Sequence, residues 1–263
     1  MPKIKKGKII TLTSMKGGVG KTFTTLLLAS IYDKLNKKVL VIDLDLYAGS
    51  IAFLLNIDPK SSVYNICDDM NNNRYQGINS SDYLFKYNDN IDILPAPKDP
   101  RQANKIDRKC LELLLTNISS YYDIVLIDTN HILDMHSMVA FDVSDKIVDV
   151  FTNDAIDLKN TKNFVSICAN ASVDNVVLLL NKATDYRKNY FSDYDIKNLI
   201  KHDIDYTIPY TFYLKEFDSY IIEGELYKMF STAITKKNYK IIEKLALELI
   251  EFDGNGVREN EEK

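Results

Sequence analysis

The chain has 263 residues, 46% of them hydrophobic, three cysteines and a formal net charge of −4. That length and apolar content can bury one full core, so a single large domain over 1–252 is expected, followed by a disordered charged tail at 253–263. Apolar runs stay short of the roughly 18 residues of a membrane span, the cysteines form no C-x-x-C pair for zinc or an iron–sulfur cluster, and the acidic balance gives no overall pull towards nucleic acid.

Ahead of the first strand, 1–6 is basic with no signal-type apolar stretch, so a cytoplasmic location is expected. Ile9-Ile10-Thr11-Leu12-Thr13 reads as a buried strand. A glycine loop, Met15-Lys16-Gly17-Gly18-Val19-Gly20-Lys21-Thr22, leads into a helix over 21–36. Val39-Leu40-Val41-Ile42-Asp43 is a second strand, ending in Asp43-Leu44-Asp45. Asp58-Pro59-Lys60-Ser61 turns into a short helix, 71–90 is a polar loop or hairpin, and 91–97 alternates before stopping at prolines. Further strands are expected at 123–128, 147–151 and 176–181, and helices at 102–120, 155–170, 192–201 and 225–251. Near-continuous β-branched and leucine runs mean strands covered on both faces. The fold class is therefore α/β: a doubly wound, mostly parallel sheet with helices on both faces.

Strand, glycine loop, helix is the context of a phosphate cradle. Gly17, Gly18 and Gly20 let backbone N–H groups, with that of Val19, approach phosphate oxygens, and the helix start adds partial positive charge. Lys21 is placed to reach the β/γ-phosphates of ATP, and the Thr22 hydroxyl to ligate Mg²⁺. Asp43 and Asp128 end their strands at the ligand crevice, where a carboxylate can support the Mg²⁺ shell. Asp45, two residues beyond Asp43, can orient the attacking water. Each carboxylate taken alone is equally readable as a strand-end cap. His131 follows Asp128 closely, and a lone histidine is more often structural.

The loop is unusual: Met15 stands where the first glycine of the ordinary motif belongs, and Lys16 is a second lysine inside it. Lys-Gly-Gly-x-Gly-Lys-Thr resembles the deviant Walker A loop of the ParA/MinD family of P-loop ATPases, of the SIMIBI type. The resemblance implies a homodimer closed across ATP, in which Lys16 crosses to the partner's nucleotide and acts in catalysis with Lys21 and Asp45. Residues 43–62, the Leu94–Pro100 segment and Tyr122–Asp128 look like the TadZ/CpaE branch, which localises pilus machinery and usually carries a receiver-like domain before the ATPase. That likeness implies slow, partner-stimulated turnover, a protein partner in pilus or secretion assembly, and recruitment to a cell pole or the inner membrane face. The chain departs from the family at Phe23, where a second hydroxyl often touches the α-phosphate and only the backbone N–H remains. It departs again at Asp128-Thr129-Asn130-His131, where a proline is usual. For the base, the resemblance points to Asn181 and to the loop at Pro209-Tyr210; a capping asparagine is nearly as good a reading.

Three other classes compete. DNA partition needs a basic face; Lys3/Lys5/Lys6/Lys8 and Lys236/Lys237/Lys240/Lys244 are candidates that a solvated surface explains at least as well. Membrane positioning of the MinD/FlhG kind needs a terminal amphipathic helix; Ile241, Ile242, Leu245, Leu249 and Ile250 form a stripe that packing on the sheet explains better. A tyrosine kinase of this fold would lack Lys16 and end in a tyrosine cluster, whereas the last tyrosine here is Tyr239.

Overall fold

The computed structural model describes residues 6–78, 83–184, 190–212, 214, 217–232 and 234–251. The expected tail at 253–263, Lys3 and Lys5 of the first basic cluster, and 79–82 of the polar loop lie outside the described residues.

Buried, β-branched segments form the strands β1 (Lys8–Thr13), β2 (Val39–Leu44), β4 (Ile91–Leu94), β5 (Ile124–Thr129), β6 (Lys146–Phe151) and β7 (Val176–Asn181). Two short strands, β3 (Phe85–Lys86) and β8 (Tyr206–Ile208), close the edges. The order is β3-β4-β2-β5-β1-β6-β7-β8, parallel throughout except for β3 against β4. β1 sits between β5 and β6, while the chain leaves it through α1 (Lys21–Lys34) to reach β2 on the far side of β5. The crevice beyond its carboxyl end is thus where a doubly wound sheet binds ligands.

Period-two alternation sorts the strand residues between two layers. Val41 and Leu126 join α1, α9 (Leu226–Thr232) and α10 (Lys236–Glu251) in one core; Leu40, Ile42 and Ile127 join α3 (Val63–Asn71), α4 (Arg108–Ile118) and α5 (Met135–Val143) in the other. Smaller clusters pack α6 (Ala155–Asn170) and α7 (Asp193–Ile200) on β6 and β7. The stripe on α10 faces inwards: Ile242, Leu245 and Leu249 are buried, and the α1 residue Tyr32 donates its hydroxyl to the Ala246 carbonyl at 2.8 Å.

Several elements differ from expectation. The helix over 102–120 is two pieces, a 3₁₀ turn at Pro100–Lys105 and α4, because Ile106 is extended and Asp107 caps the Cys110 N–H at 2.9 Å. The helix over 225–251 is likewise two, α9 and α10, and is preceded by an unexpected short helix, α8 (Phe217–Ile222). β2 ends at Leu44, so Asp45 belongs to the following turn, which runs through α2 (Ile51–Leu54), and does not continue the strand's alternation. Cys67 and Cys110, 43 positions apart, meet as a buried disulfide joining α3 to α4, with Cα atoms 5.6 Å apart.

Candidate nucleotide site

The loop from Ser14 to Gly20 is built to hold its backbone open. Gly18 and Gly20 take φ of +75° and +94°, in the left-handed region that favours glycine. A side chain on Gly20 would also strike the Asn181 amide, 2.6 Å from where its Cβ would sit. Asn181, at the end of β7, donates from Nδ2 to the Val19 carbonyl at 2.8 Å and accepts the Ala183 N–H at 3.0 Å. Thr184 adds a second bond to the Val19 carbonyl, and Asn160 of α6 reaches the Met15 carbonyl at 3.4 Å. The end of β7, the turn that follows it and one helix therefore hold the loop.

The adjacent register of β2 and β5 sets Asp43 beside Asp128. Asp128 is buried and collects three donors: Lys21 Nζ at 2.9 Å, Thr22 Oγ1 at 2.6 Å and Thr25 Oγ1 at 3.2 Å. Asp43 accepts the N–H groups of Asp45 and Ile51, each at 3.1 Å, and so anchors the loop after β2. Gly49 in that loop has no room for a side chain, since its Cβ would lie 2.3 Å from that of Ala96 and 2.9 Å from the Asp43 carboxylate. Burial, with the Asp128 charge beside it, pushes the Asp43 carboxyl up to about 7; the Ile51 N–H and Lys21 work against that rise. Asp45 is half-buried and is raised by burial, with Lys21 opposing.

Lys16 and Lys21 have separate partners. Lys21 points inwards to Asp128, whereas Lys16 lies at the rim, its Nζ 3.3 Å from Asp154. Asp154 caps α6, accepting the N–H groups of Ile156 and Asp157. Burial works against the charge on Asp154, yet those N–H groups and the Lys16 ammonium hold its carboxyl below the usual range.

Two cavities meet here. One, of about 360 Å³, is lined by the glycine loop with Lys16, Lys21, Thr22, Asp45 and His131. The second, of about 540 Å³, is mostly apolar and shares Gly18, Gly20, Phe23 and Phe217 with the first. Pro209 follows β8 near this second cavity, and its carbonyl accepts the Phe212 N–H at 2.9 Å.

The fold thus brings Gly17, Gly18, Val19, Gly20, Lys21, Thr22, Phe23, Asp43, Asp45 and Asp128 to one end of the sheet, with Asn181 behind the loop. Sequence reasoning missed Asp154, Thr25, Asn160 and the wall made by Phe212 and Phe217. Asp154 carried a signal, an aspartate directly before a helix at the end of a parallel strand.

Comparison with known proteins decides the family: a family model described as an AAA domain (AAA_31) matches residues 7–171. The chain belongs to the ParA/MinD family of P-loop ATPases. An ATP-binding protein of Methanocaldococcus jannaschii is 30% identical over 145 residues, covering 55% of this chain and 52% of that protein. The septum site-determining protein MinD of Helicobacter pylori is 28% identical over 161 residues, 60% of this chain and 58% of its own. The chain thus spans little more than half the length of these relatives. Among solved structures, a ParA family ATPase from Chlorobium tepidum superposes with a TM-score of 0.77 at 18% identity, over 91% of this chain and 98% of the other. MinD of Pyrococcus horikoshii, solved with Mg-ADP, gives 0.72 at 22% identity, over 93% and 96%. At such identities these structures establish a shared fold, that of this ParA/MinD chain's eight-stranded sheet.

The residues fit Mg²⁺ with a nucleotide better than a metal alone. Among the described residues no group of three or more His, Cys, Asp or Glu could hold a metal ion. Thr22 and Asp128, bonded at 2.6 Å, and Asp43 beside Asp128 in the strand register are oxygen donors of the kind that, together with phosphate and water, could hold a hard cation.

Proposed function

We propose that this chain is an ATP-dependent, dimerising switch ATPase that positions a cellular machine by binding and hydrolysing ATP. The observation that carries the reading is the separation of the loop's two lysines. Lys21 is committed to the buried Asp128 and serves its own subunit's β/γ-phosphates. Lys16 sits at the rim in a pair whose side chains are 39% and 32% exposed. Such a pair is worth about 0–1 kcal/mol, little against a charge-assisted contact to phosphate. Lys16 is therefore free to exchange Asp154 for the nucleotide of a facing subunit, as the deviant Walker A reading requires.

The surroundings support a closing face. Ile132 and Met135, beyond the end of β5, and Ile156, in the first turn of α6, are large apolar side chains exposed on the P-loop side of the sheet. When ATP is bound, the backbone of Gly17, Gly18, Val19 and Gly20 would cradle phosphate. Thr22, Asp43 and Asp128 would hold Mg²⁺, Asp45 would orient the attacking water, and Phe23, Asn181 and Pro209 would border the base. Mg²⁺ supplies charge neutralisation at the transferred phosphoryl group. Slow, partner-stimulated turnover would make the ATP dimer a timer read by a partner protein. The TadZ/CpaE-like segments favour pilus or secretion machinery as cargo, with the protein cytoplasmic and recruited to a pole or the inner membrane face. A second reading, DNA partition, has one observation behind it: Lys236, Lys237, Lys240 and Lys244 all stand exposed on α10.

Light scattering with Mg²⁺ and a non-hydrolysable ATP analogue tests the proposal. The parent should dimerise. Lys16→Ala should keep nucleotide binding and lose dimerisation and hydrolysis, while Lys21→Ala should lose nucleotide binding itself. A Lys16→Ala protein that dimerises as tightly as the parent would reduce Lys16 to a solvated loop lysine.

A further inference from the structure

Of the three histidines, one has no structural work to do. His136, on α5, is buried; its Nε2 lies 3.1 Å from the Ile106 carbonyl and its Nδ1 3.6 Å from Asp134. His202 Nδ1 lies 2.8 Å from the Asp203 carbonyl. His131 is exposed, and among the described residues its ring has no hydrogen-bond partner.

The turn that carries His131 is fixed by its neighbours. Asn130 accepts the Ile132 N–H at 2.8 Å through Oδ1 and donates from Nδ2 to Asp134 at 2.9 Å. Asp134 in turn caps α5 by accepting the Ser137 N–H at 2.9 Å. Thr129 donates its hydroxyl to the Leu12 carbonyl at 3.0 Å and ties the end of β5 to β1. The backbone thus presents His131 without drawing on its ring.

The ring faces the phosphate cavity, which it lines with Lys16, Lys21, Thr22 and Asp45. Apart from chain neighbours, a Cβ placed on Gly17 would meet one atom of the described residues within 4 Å, His131 Nδ1 at 4.0 Å. Burial raises the Asp45 carboxyl, and Lys21 first, then the Ala48 N–H and last the His131 ring oppose that rise, so the ring and Asp45 share one end of the cleft. It is the end away from the base. Gly18, Gly20 and Phe23 border both cavities, whereas Lys16, Asp45 and His131 line only the polar one. A triphosphate laid along the glycine loop from the apolar side brings its last phosphate towards His131, and a diphosphate stops short of it.

We infer that His131 donates a ring N–H to the terminal phosphate and so sets the preference of this site for a nucleoside triphosphate over the diphosphate. The inference rests on the nucleotide reading above and adds the residue that tells the two ligand states apart. A hydrogen bond to an ionised phosphate is charge-assisted, and losing it costs more than losing a neutral one. The ring is exposed and unbonded, so its replacement leaves the fold alone.

Calorimetry on the full chain with Mg²⁺, ADP and a non-hydrolysable ATP analogue tests it. His131→Leu, which keeps bulk but no donor, should weaken the analogue about ten-fold and leave ADP within about two-fold. His131→Gln, which keeps an N–H donor, should recover part of the loss. The same loss should appear when His131→Leu is combined with Lys16→Ala, which in the reading above stays monomeric, because the contact lies within one subunit. An analogue-to-ADP ratio unchanged in His131→Leu overturns the inference. So does an equal loss of both nucleotides, a His131→Gln protein no better than His131→Leu, or a loss that vanishes in the Lys16→Ala background. Failure of the parent to bind either nucleotide would instead overturn the nucleotide reading itself.

Discussion

Asp45 and Asp149 show how differently two carboxylates can be used a few strands apart. Asp45 lines the phosphate cavity with Lys16 and Thr22, half-buried and bonded through one oxygen to the Ala48 N–H at 3.3 Å. In the function proposed above Asp45 orders the attacking water, while Asp43 anchors the loop through the Asp45 and Ile51 N–H groups. Asp45→Ala should keep ATP affinity within about three-fold and lower hydrolysis by roughly 10²–10⁴, the usual worth of a positioned base. Hydrolysis at the parental rate would pass that role to Asp43. Asp149, on β6, is fully buried and makes no close hydrogen bond among the described residues; Asp157 of α6 adds like charge, and the neighbouring Thr161 hydroxyl works against the rise. Burial first, and Asp157 second, drive its carboxyl well above the ordinary value. The native state then keeps a proton that the unfolded chain releases near pH 4. Its contribution to stability is complete below that pH and is lost as pH rises towards the native pKa, by about 1.4 kcal/mol per unit within the window. Asp149→Asn should therefore raise Tm more at pH 8 than at pH 5. An equal effect at both pH values would mean that Asp149 titrates normally. At this scale the P-loop was legible because seven consecutive residues encode backbone shape as well as chemistry. The pairing of Asp154 with Lys16 was not, since it spans 138 positions and exists only once β6 lies beside β1.

Strands were legible as elements because burial on both faces leaves uninterrupted apolar runs, as in Val39–Leu44 and Ile124–Thr129. Helices beyond residue 100 were less so. Nothing in the periodicity of 102–120 marks the break at Ile106, which the caps Asp99 and Asp107 impose from outside the apolar pattern. β8 is three residues long, too short for alternation to stand out, and its place comes from pairing with β7. The α3–α4 pair shows the same limit. Cys67 and Cys110 are far apart in the chain and carry no local pattern, yet each sits on the buried stripe of its helix and the two stripes face one another. Closing a loop of this length stabilises the native state by up to about 4 kcal/mol in the chain-entropy estimate. Reductant should therefore lower Tm by several degrees. The denatured, unreduced protein should show one reactive thiol, Cys168, and the reduced protein three. Three reactive thiols before reduction would show the pair to be two free cysteines.

Taken whole, the molecule separates a chemical end from a structural end, and its charge follows neither. The net charge is −4, while α10 carries Lys236, Lys237, Lys240 and Lys244 exposed on the outer layer of the sheet, packed on α1. Lys244 is partly neutralised by Glu248 at 3.5 Å. At most four such lysines per chain could meet phosphates. Their counterion release would cost roughly a hundred-fold in affinity per chain between 50 and 200 mM salt, and that factor squared if both subunits of the proposed dimer engaged. A face that small, on an acidic chain, yields weak non-specific attraction that salt erases. The other route to a surface, a membrane anchor, finds no support in α10, whose apolar stripe is spent on α1. Among the described residues, no helix is long and apolar enough to cross a membrane. With a non-hydrolysable ATP analogue and about 150 mM salt, retention on random duplex DNA should fall below detection, and flotation with anionic vesicles should recover little protein. DNA retention that persists at 200 mM salt and is lost when the four α10 lysines become glutamine would make α10 a nucleic-acid face and turn the reading towards partition.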